Sequence, residues 1–222
     1  MFSDRAQAGR MLAREVVALG PRDPVVLALP RGGVPVAAEV ARALHAPLDL
    51  LLVRKIGAPW HRELAVAAVA EGPQPEVFVD RETLVMAGAS EDYVQREARE
   101  ELREIARRRS VYLRGRPPLP VEGRTVVVVD DGIATGTTVR AALQALRRRK
   151  PARIVLAIPV APPDTVAMLR DEVDDLVCLA EPADFHAVGV HYDDFHQVAD
   201  DEVAGILDRF EAGTGARRAT LA

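Results

Sequence analysis

The sequence predicts an α/β fold in which helices cover both faces of a doubly wound, mainly parallel sheet. Short apolar runs alternate with segments at helical spacing along most of the chain, which is typical of a parallel sheet with crossover helices. These runs are apolar at consecutive positions, as in residues 126–129, which indicates strands buried on both faces. A chain of 222 residues, 49% of them hydrophobic, is long enough to form one domain over residues 1–222.

The first half begins with a helix and a β–α–β unit. Ser3 is the expected N-cap of the first helix, because apolar residues recur at helical spacing after it, and Gly20 ends the pattern. Helices are predicted over residues 3–19 and 34–46, and strands over 24–30 and 48–53.

A region inserted at residues 57–116 interrupts the alternation. Residues 64–70 and 76–80 are rich in strand-forming side chains and predict a hairpin. Gly72 and Pro73 are typical turn residues, so we expect them to join the two strands.

A long charged helix, predicted over residues 90–113, completes the insertion. Glu104 is spaced to pair with Arg107 and Arg108, so we expect a solvated face, with packing against another subunit of a homodimer as the alternative. Residues 57–63 contain glycine, proline and an expected exposed tryptophan, and they are the candidate for a lid that closes over a ligand.

The second half resumes the alternation after a proline-rich connector. Strands are predicted over residues 124–130, 152–160 and 174–180, and helices over 137–149, 162–171 and 200–211. Residues 213–222 predict a flexible tail, because chain ends fray unless they are packed.

Composition and charge exclude several classes of function. A net charge of −4 makes a nucleic acid an unexpected partner, because nucleic-acid-binding surfaces are basic. No apolar run approaches the ~20 residues of a membrane span, and the N-terminus lacks the apolar core of a signal peptide. We therefore expect a cytoplasmic protein with no membrane partner. The single cysteine, Cys178, lies in an apolar run and is expected in the core, with a nucleophile as the alternative.

Three segments that follow predicted strands carry unusual chemistry. In an open α/β sheet, ligand sites form beyond the carboxyl ends of the strands. The first is LPRGGVPV, in which Arg31 precedes Gly32 and Gly33 at a helix start. Glycine lets the backbone approach a ligand, the helix start offers unpaired N–H groups, and arginine binds phosphate oxygens through a planar fork. A tight turn with a solvated arginine is the alternative.

The second segment is RKIG, where Arg54 and Lys55 directly follow a predicted strand. Lysine occurs at only two positions of the chain, 55 and 150, and one of them stands at the predicted ligand edge. These two residues, named here the basic pair, are candidates for a second anion site. The alternative is a charged pair that keeps a strand end in water.

The third segment is VVVVDDGIATGTT, in which Asp130 and Asp131 emerge where a buried strand ends. Successive N–H groups in the following turn bind an anion, and a threonine hydroxyl is expected to cap the next helix. The turn, named here the anion loop, consists of Ala134, Thr135, Gly136, Thr137 and Thr138.

An anion loop next to two acids points to a ligand with two faces. A phosphate monoester suits the loop, and the two hydroxyls of a ribose diol donate hydrogen bonds to carboxylates. Mg²⁺, held through water or diol oxygens, also suits Asp130 and Asp131. The residues therefore predict a ribose 5-phosphate ligand, with a second anion near Arg31 and Lys55.

VVVVDDGIATGTT closely resembles the phosphoribosyl pyrophosphate motif of the type I phosphoribosyltransferases. LPRGG resembles that family's pyrophosphate loop, and the basic pair resembles its basic position after the second strand. The order of these elements matches the family over nearly the whole chain. The resemblance implies the family's fold, phosphoribosyl pyrophosphate as a substrate and Mg²⁺ as a cofactor. It also implies that the 5-phosphate binds the anion loop and that the ribose hydroxyls bind Asp130 and Asp131.

The resemblance further implies a reaction in which a nitrogen nucleophile, usually a nucleobase, displaces pyrophosphate from C1 of the sugar. The transition state would have oxocarbenium character. Gly32 and Gly33, with Arg31 and Lys55, would stabilise the leaving pyrophosphate, while the acids orient the sugar. The predicted catalytic residues are Arg31, Lys55, Asp130 and Asp131. The family's pyrophosphate loop often contains a non-proline cis peptide, which here would join Pro30 to Arg31.

Two other functions remain compatible with these motifs. One is a regulatory module of the same fold that binds phosphoribosyl pyrophosphate or a nucleotide without turnover. The other is a hydrolase in which water attacks C1, although the sequence identifies no general base for it. One departure from the family is Gly132, which stands where an aliphatic residue is common and is expected to loosen the turn.

The acceptor is the part of the reaction that the sequence determines least. The 6-oxopurine enzymes of the family usually carry an aspartate at the position of Ala134, so hypoxanthine and guanine are not predicted. The family covers its acceptor with a variable hood, which residues 181–197 would form here. Within this hood, Phe185 and Tyr192 are predicted to stack on a flat base. The alternative is that these aromatic rings fasten the hood to the core.

Overall fold

The computed structural model describes residues 1–71 and 76–220, so the predicted turn through Gly72 and Pro73 lies outside the described residues. The helices are α1 (Arg5–Ala18), α2 (Gly33–Leu44), α3 (Arg81–Met86), α4 (Glu91–Leu113), α5 (Thr137–Arg148), α6 (Pro163–Arg170) and α7 (Asp200–Thr220). The strands are β1 (Pro24–Ala28), β2 (Leu48–Leu50), β3 (Val53–Ala58), β4 (His61–Ala70), β5 (Glu76–Val79), β6 (Thr125–Val129), β7 (Arg153–Val160) and β8 (Asp175–Ala180).

The central sheet confirms the predicted α/β fold. Among the described residues it has five strands in the order β2-β1-β6-β7-β8, and every neighbouring pair is parallel. Strand β6 is buried along its whole length, because helices cover the sheet on both faces. The strand order reverses between β1 and β6, and the carboxyl ends of strands at such a switch point form the ligand crevice of this type of sheet.

Two apolar layers flank the central sheet. One layer contains buried side chains of α1, α2, α4 and α7, including Leu12 and Leu207. The other contains side chains of α5 and α6, including Leu143 and Leu169. Helices on both faces make the sheet doubly wound, as the alternation in the sequence predicts. Cys178 is partly buried beside the second layer, and burial raises the pKa of its thiol to about 11, which supports a packing role.

The inserted region forms a second sheet that the sequence predicts only in part. The described residues place three antiparallel strands there, in the order β3-β4-β5. The expected strand over residues 48–53 is therefore wrong at its end, because β2 stops at Leu50 and Val53 already pairs with Ala70. Arg54 and Lys55 consequently lie on β3 of the inserted sheet rather than at the end of the second parallel strand.

The helices also differ from the prediction, most clearly at α1, α3 and α7. The N-cap of α1 is Asp4 instead of Ser3, since the Asp4 carboxylate accepts a hydrogen bond from the Gln7 amide at 2.6 Å. The short helix α3 is absent from the prediction, and the Asp80 side chain caps it. Helix α7 continues through Thr220, past the expected end at residue 211, and residues 221–222 lie outside the described residues.

The long helix α4 carries both exposed and buried ion pairs. Glu104 pairs with Arg107 and Arg108, each at 2.7 Å, which confirms the predicted ion pairs. On its inner side Arg109 lies 2.7 Å from Glu71 and 3.4 Å from Asp49, and both acids are largely buried. These contacts fasten α4 to β2 and to the end of β4. None of the helices in the described part of the chain is both long enough and apolar enough to cross a membrane.

Candidate functional site

The loop after β1 and the loop after β6 lie side by side at the switch point. Strands β1 and β6 are neighbours in parallel register, so their carboxyl ends reach the same edge of the sheet. The Leu29 amide donates a hydrogen bond of 2.9 Å to the Val129 carbonyl and extends the pairing to the start of both loops. The structure therefore brings the two segments singled out by their glycines and acids into direct contact.

Gly32 and Gly33 make this contact possible. A Cβ atom on Gly32 would lie 1.9 Å from Asp131 Oδ2, and one on Gly33 would lie 2.7 Å from the Val129 carbonyl oxygen. A larger residue at either position would have to displace the neighbouring loop. The peptide bond between Pro30 and Arg31 is cis, as the resemblance predicts. We name residues 30–33 the glycine loop.

The N-termini of α2 and α5 point their backbone amides toward the edge where the two loops meet. The N-caps are Gly32 and Gly136, and neither helix start has a side-chain capping hydrogen bond. The predicted threonine cap of α5 is therefore wrong, because Thr137 is already the first helical residue. At α2 the Gly33 and Val34 amides already donate to the Leu29 and Arg31 carbonyls, at 3.1 Å each, so α5 is the helix start whose first amides can bind an anion. Both helix starts carry the positive end of a helix dipole.

Helix α6 packs against the anion loop and holds its backbone. The Thr165 hydroxyl donates a hydrogen bond of 2.7 Å to the Ala134 carbonyl. Gly136 has a φ of 73°, and a Cβ atom there would lie 2.7 Å from the Met168 methyl carbon. Ala134 and Thr135 are exposed, whereas Gly136 is buried. The loop thus has a fixed base and an open upper side.

The acid pair is partly buried and its two members have different surroundings. Asp130 Oδ1 accepts a hydrogen bond of 2.8 Å from the Asp131 amide. Asp131 Oδ2 accepts one of 2.7 Å from Arg5 Nε. Burial, followed by the negative charge of Asp131, raises the pKa of the Asp130 carboxyl well above its ordinary range. A ligand that brings hydroxyl donors or a cation to this carboxyl would favour its charged form.

Arg31 belongs to the glycine loop, but its side chain is directed at α7. Its Nη1 atom lies 3.5 Å from Asp200 Oδ1, to which the Tyr112 hydroxyl also donates a hydrogen bond of 2.7 Å. The Arg31 side chain is about one-third exposed. This contact with Asp200 uses one nitrogen of a guanidinium that carries five N–H donors in total.

The basic pair lies on β3 and lines a cleft of about 300 Å³ between the inserted sheet and α4. Arg54 Nε donates a hydrogen bond of 2.6 Å to Glu101 Oε2. Thr138, from the anion loop, also lines this cleft, so the cleft opens next to the N-terminus of α5. The remaining lining side chains are those of Val53, Ile56, Arg62, Tyr93 and Glu97.

The hood contacts the site differently from the prediction. Tyr192 is only 6% exposed, its ring centre lies 5.3 Å from that of Phe2, and its hydroxyl donates to the Asp131 carbonyl. Stacking of Tyr192 on a base is therefore wrong for this structure, because the ring fastens the hood to the core. Phe185 is half-buried and stacks on His191 with ring centres 5.5 Å apart. Its role toward an acceptor stays a prediction.

Gly132 lies against the hood, and its predicted effect on the tightness of the turn stays a prediction. A Cβ atom there would lie 2.5 Å from Val188 Cγ1 and 3.0 Å from Val160 Cγ1. The absence of a side chain therefore lets the hood pack directly on the loop that follows the acid pair.

Arg5 is a buried charged residue at this site that the sequence analysis does not include. It is 7% exposed and contacts Asp131, the His196 carbonyl and the Phe195 ring. A signal for it is present in the sequence. Arg5 precedes Ala8 and Leu12 at helical spacing and so stands on the buried face of α1. A charge on that face requires a buried partner.

Comparisons with known proteins agree with this geometry. Residues 3–194 match the family model described as a phosphoribosyl transferase domain. A protein of Mycobacterium tuberculosis, provisionally named a phosphoribosyl transferase, is 47% identical over 211 residues. That alignment covers 94% of this chain but 47% of the relative, so the chain spans about half the length of the curated relative. The crystal structure of a Thermus thermophilus protein named TT1426 is 44% identical with a TM-score of 0.84 and covers 95% of this chain and 99% of that one.

Proposed function

Because the chain belongs to the phosphoribosyl transferase domain family, we propose that it transfers the 5-phosphoribosyl group of phosphoribosyl pyrophosphate to a nucleobase-like nitrogen acceptor. The observation that carries this proposal is the meeting of Asp130 and Asp131 with the N-termini of α2 and α5 at one switch point. Donors for two anions and acceptors for a diol are thereby within one site. Phosphoribosyl pyrophosphate presents a phosphate, a diol and a pyrophosphate.

Different groups of residues bind the different parts of the substrate. The 5-phosphate binds the anion loop, where α5 supplies amides that no side chain caps. The ribose hydroxyls donate to the carboxylates of Asp130 and Asp131. The pyrophosphate binds beside the glycine loop, at the positive end of the α2 dipole, and the guanidinium of Arg31 supplies hydrogen-bond donors to it. The basic pair approaches from β3 when the inserted sheet closes over the site.

The reaction needs position and charge more than covalent help from the protein. The C1–O bond breaks and its electron pair leaves with pyrophosphate, while the acceptor nitrogen forms the new bond to C1 and releases its proton to solvent. Arg31 and Lys55 offset the negative charge that grows on the leaving group. The carboxylates of Asp130 and Asp131 hold the ribose in place and favour the positive charge that develops on the sugar ring. Closure of the inserted sheet keeps water from C1.

Mg²⁺ fits the residues at this site as a cofactor that arrives with the substrate. In the described part of the chain, no group of three His, Cys, Asp or Glu side chains forms a metal cage. Mg²⁺ is commonly held by one or two carboxylates together with substrate phosphates, and Asp130 and Asp131 supply carboxylates of this kind. When bound, Mg²⁺ would supply positive charge to the pyrophosphate leaving group.

The acceptor is a small molecule with a reactive ring nitrogen. The 6-oxopurine enzymes of the family usually carry an aspartate at the position of Ala134. Alanine has no carboxylate, which argues against a 6-oxopurine as the acceptor. The hood borders the same edge, since Val188 packs on Gly132, so we place the acceptor beneath residues 181–197. Phe185 is the aromatic ring that remains a candidate for stacking on it.

The test is to incubate the protein with Mg²⁺, phosphoribosyl pyrophosphate and a panel of purine, pyrimidine and other nitrogen bases, and to measure pyrophosphate release. We expect release with one class of base and a new N-ribosyl phosphate in the product. Binding of phosphoribosyl pyrophosphate without release across the panel would contradict transfer. It would indicate a regulatory module of the same fold.

A further inference from the structure

A buried arginine on α1 holds one acid of the ribose site. Arg5 Nε donates a hydrogen bond of 2.7 Å to Asp131 Oδ2, although 126 positions separate them in the chain. The two side chains are 8% and 13% exposed, so water and salt screen this ion pair little. A charged hydrogen bond of this kind is stronger than a neutral one and fixes the orientation of the carboxylate.

The hood fixes the rest of the Arg5 guanidinium. Its Nη1 atom donates to the His196 carbonyl at 2.9 Å, and its Cζ atom lies 3.9 Å from the centre of the Phe195 ring. The guanidinium therefore has Asp131 and a backbone carbonyl along its edges and an aromatic ring on its face. A planar group held in these directions has little freedom to rotate.

Two further contacts restrain Asp131 itself. Its Oδ2 atom packs against the Cα of Gly32, where a Cβ would lie 1.9 Å away. Its backbone carbonyl accepts a hydrogen bond of 2.5 Å from the Tyr192 hydroxyl. Asp131 is thus the point where α1, the glycine loop and the hood meet, and Arg5 is the charged member of that junction.

We propose that Arg5 is a positioning residue of the ribose site, which fixes the Asp131 carboxylate so that it accepts a sugar hydroxyl in one orientation. This inference rests on the proposed function, because it concerns the same site. It also makes the two acids unequal, since Arg5 offsets the charge of Asp131 while Asp130 has a backbone amide as its partner.

The test distinguishes binding of the sugar from binding of the phosphate. Ribose 5-phosphate engages both the anion loop and the acids, whereas ethyl phosphate is a monoester without hydroxyl groups and engages the anion loop alone. Dissociation constants for both ligands are measured by calorimetry or phosphorus NMR for the wild-type protein, Arg5→Gln and Arg5→Lys. Arg14→Gln is the matched control, because Arg14 is an exposed arginine on the same helix.

We expect Arg5→Gln to lower the affinity for ribose 5-phosphate by on the order of tenfold, which is the equivalent of one lost charged hydrogen bond. The affinity of Arg5→Gln for ethyl phosphate should stay within about twofold of the wild-type value, and Arg14→Gln should leave both affinities unchanged. Arg5→Lys keeps the charge but not the planar fork, so it should recover part of the ribose preference. If Arg5→Gln does not fold, Arg5→Lys carries the test, with a smaller loss of the same preference.

Three results overturn the inference. If Arg5→Gln lost affinity equally for both ligands, Arg5 would only support the fold. A lower melting temperature of this variant with an unchanged preference for ribose 5-phosphate over ethyl phosphate would show the same. Wild-type affinity of Arg5→Gln for ribose 5-phosphate would show that Asp131 needs no such partner. Failure of the wild-type protein to bind either ligand would instead overturn the proposed function, and this inference with it.

Discussion

Replacing Gly32 by alanine puts a methyl group where the Asp131 carboxylate lies. The new Cβ would be 1.9 Å from Oδ2, and an ordinary carbon–oxygen contact is about 3.3 Å, so one of them must move by roughly 1.4 Å. Asp131 cannot move freely, because Arg5 holds the same oxygen at 2.7 Å. A displacement of about 1 Å at a reacting site can cost about a hundredfold in rate. We therefore expect pyrophosphate release to fall by about that factor and ribose 5-phosphate affinity by at least about tenfold.

The assay combines calorimetry with ribose 5-phosphate, pyrophosphate release and thermal unfolding. Overpacking should lower the free energy of unfolding by about 1–3 kcal/mol, which leaves a folded protein to measure. Gly205→Ala in α7 is the control, because a Cβ there would meet Arg209 Nη1 at 3.5 Å, an ordinary contact. Gly32→Ala with wild-type affinity and turnover would refute the close packing of the glycine loop on the acid pair.

Three further predictions concern the supports of the site. Thr165→Val removes the hydroxyl that holds the Ala134 carbonyl, and calorimetry should show about a fivefold loss of ethyl phosphate affinity; no change would mean that α6 does not order the anion loop. Asp49→Asn removes the charge that lies 3.4 Å from Arg109, and because Glu71 still pairs with Arg109, it should lower the free energy of unfolding by about 2 kcal/mol in urea titration, whereas an unchanged free energy of unfolding would show that Asp49 does not hold α4. Cys178, with a pKa of about 11, should be about a thousandfold less reactive toward iodoacetamide at pH 8 than a fully ionised thiol, and rapid labelling of the folded protein would contradict its burial.

The parallel sheet and the two principal loops follow from local sequence. Strands β1 and β6 are almost entirely apolar, and the chain reaches Gly32 and Gly33 shortly after β1 and Asp130 directly after β6. That order predicts where the chain leaves the core and which side chains reach the ligand edge. The close approach of Gly32 to Asp131 depends on the pairing of β1 with β6, which the sequence analysis does not predict.

The remaining features depend on contacts between distant segments. Arg5 stands on the buried face of α1, but the sequence does not show that Asp131 and the hood surround it. The sequence fits Tyr192 equally well as a stacking ring or a packing ring, and its burial against Phe2 decides for packing. The end of β2 differs from the prediction because the apolar run continues to Val53, where the chain has already entered the antiparallel sheet.

The central claim is that Asp130 and Asp131 accept the hydroxyls of a ribose whose phosphate lies in the anion loop. The most direct measurement is calorimetry of the double variant Asp130→Asn with Asp131→Asn against ribose 5-phosphate and ethyl phosphate. We expect the variant to stay folded, to retain ethyl phosphate affinity and to lose ribose 5-phosphate affinity by at least about tenfold. Wild-type affinity of the double variant for ribose 5-phosphate would contradict the assignment of the acid pair to the sugar.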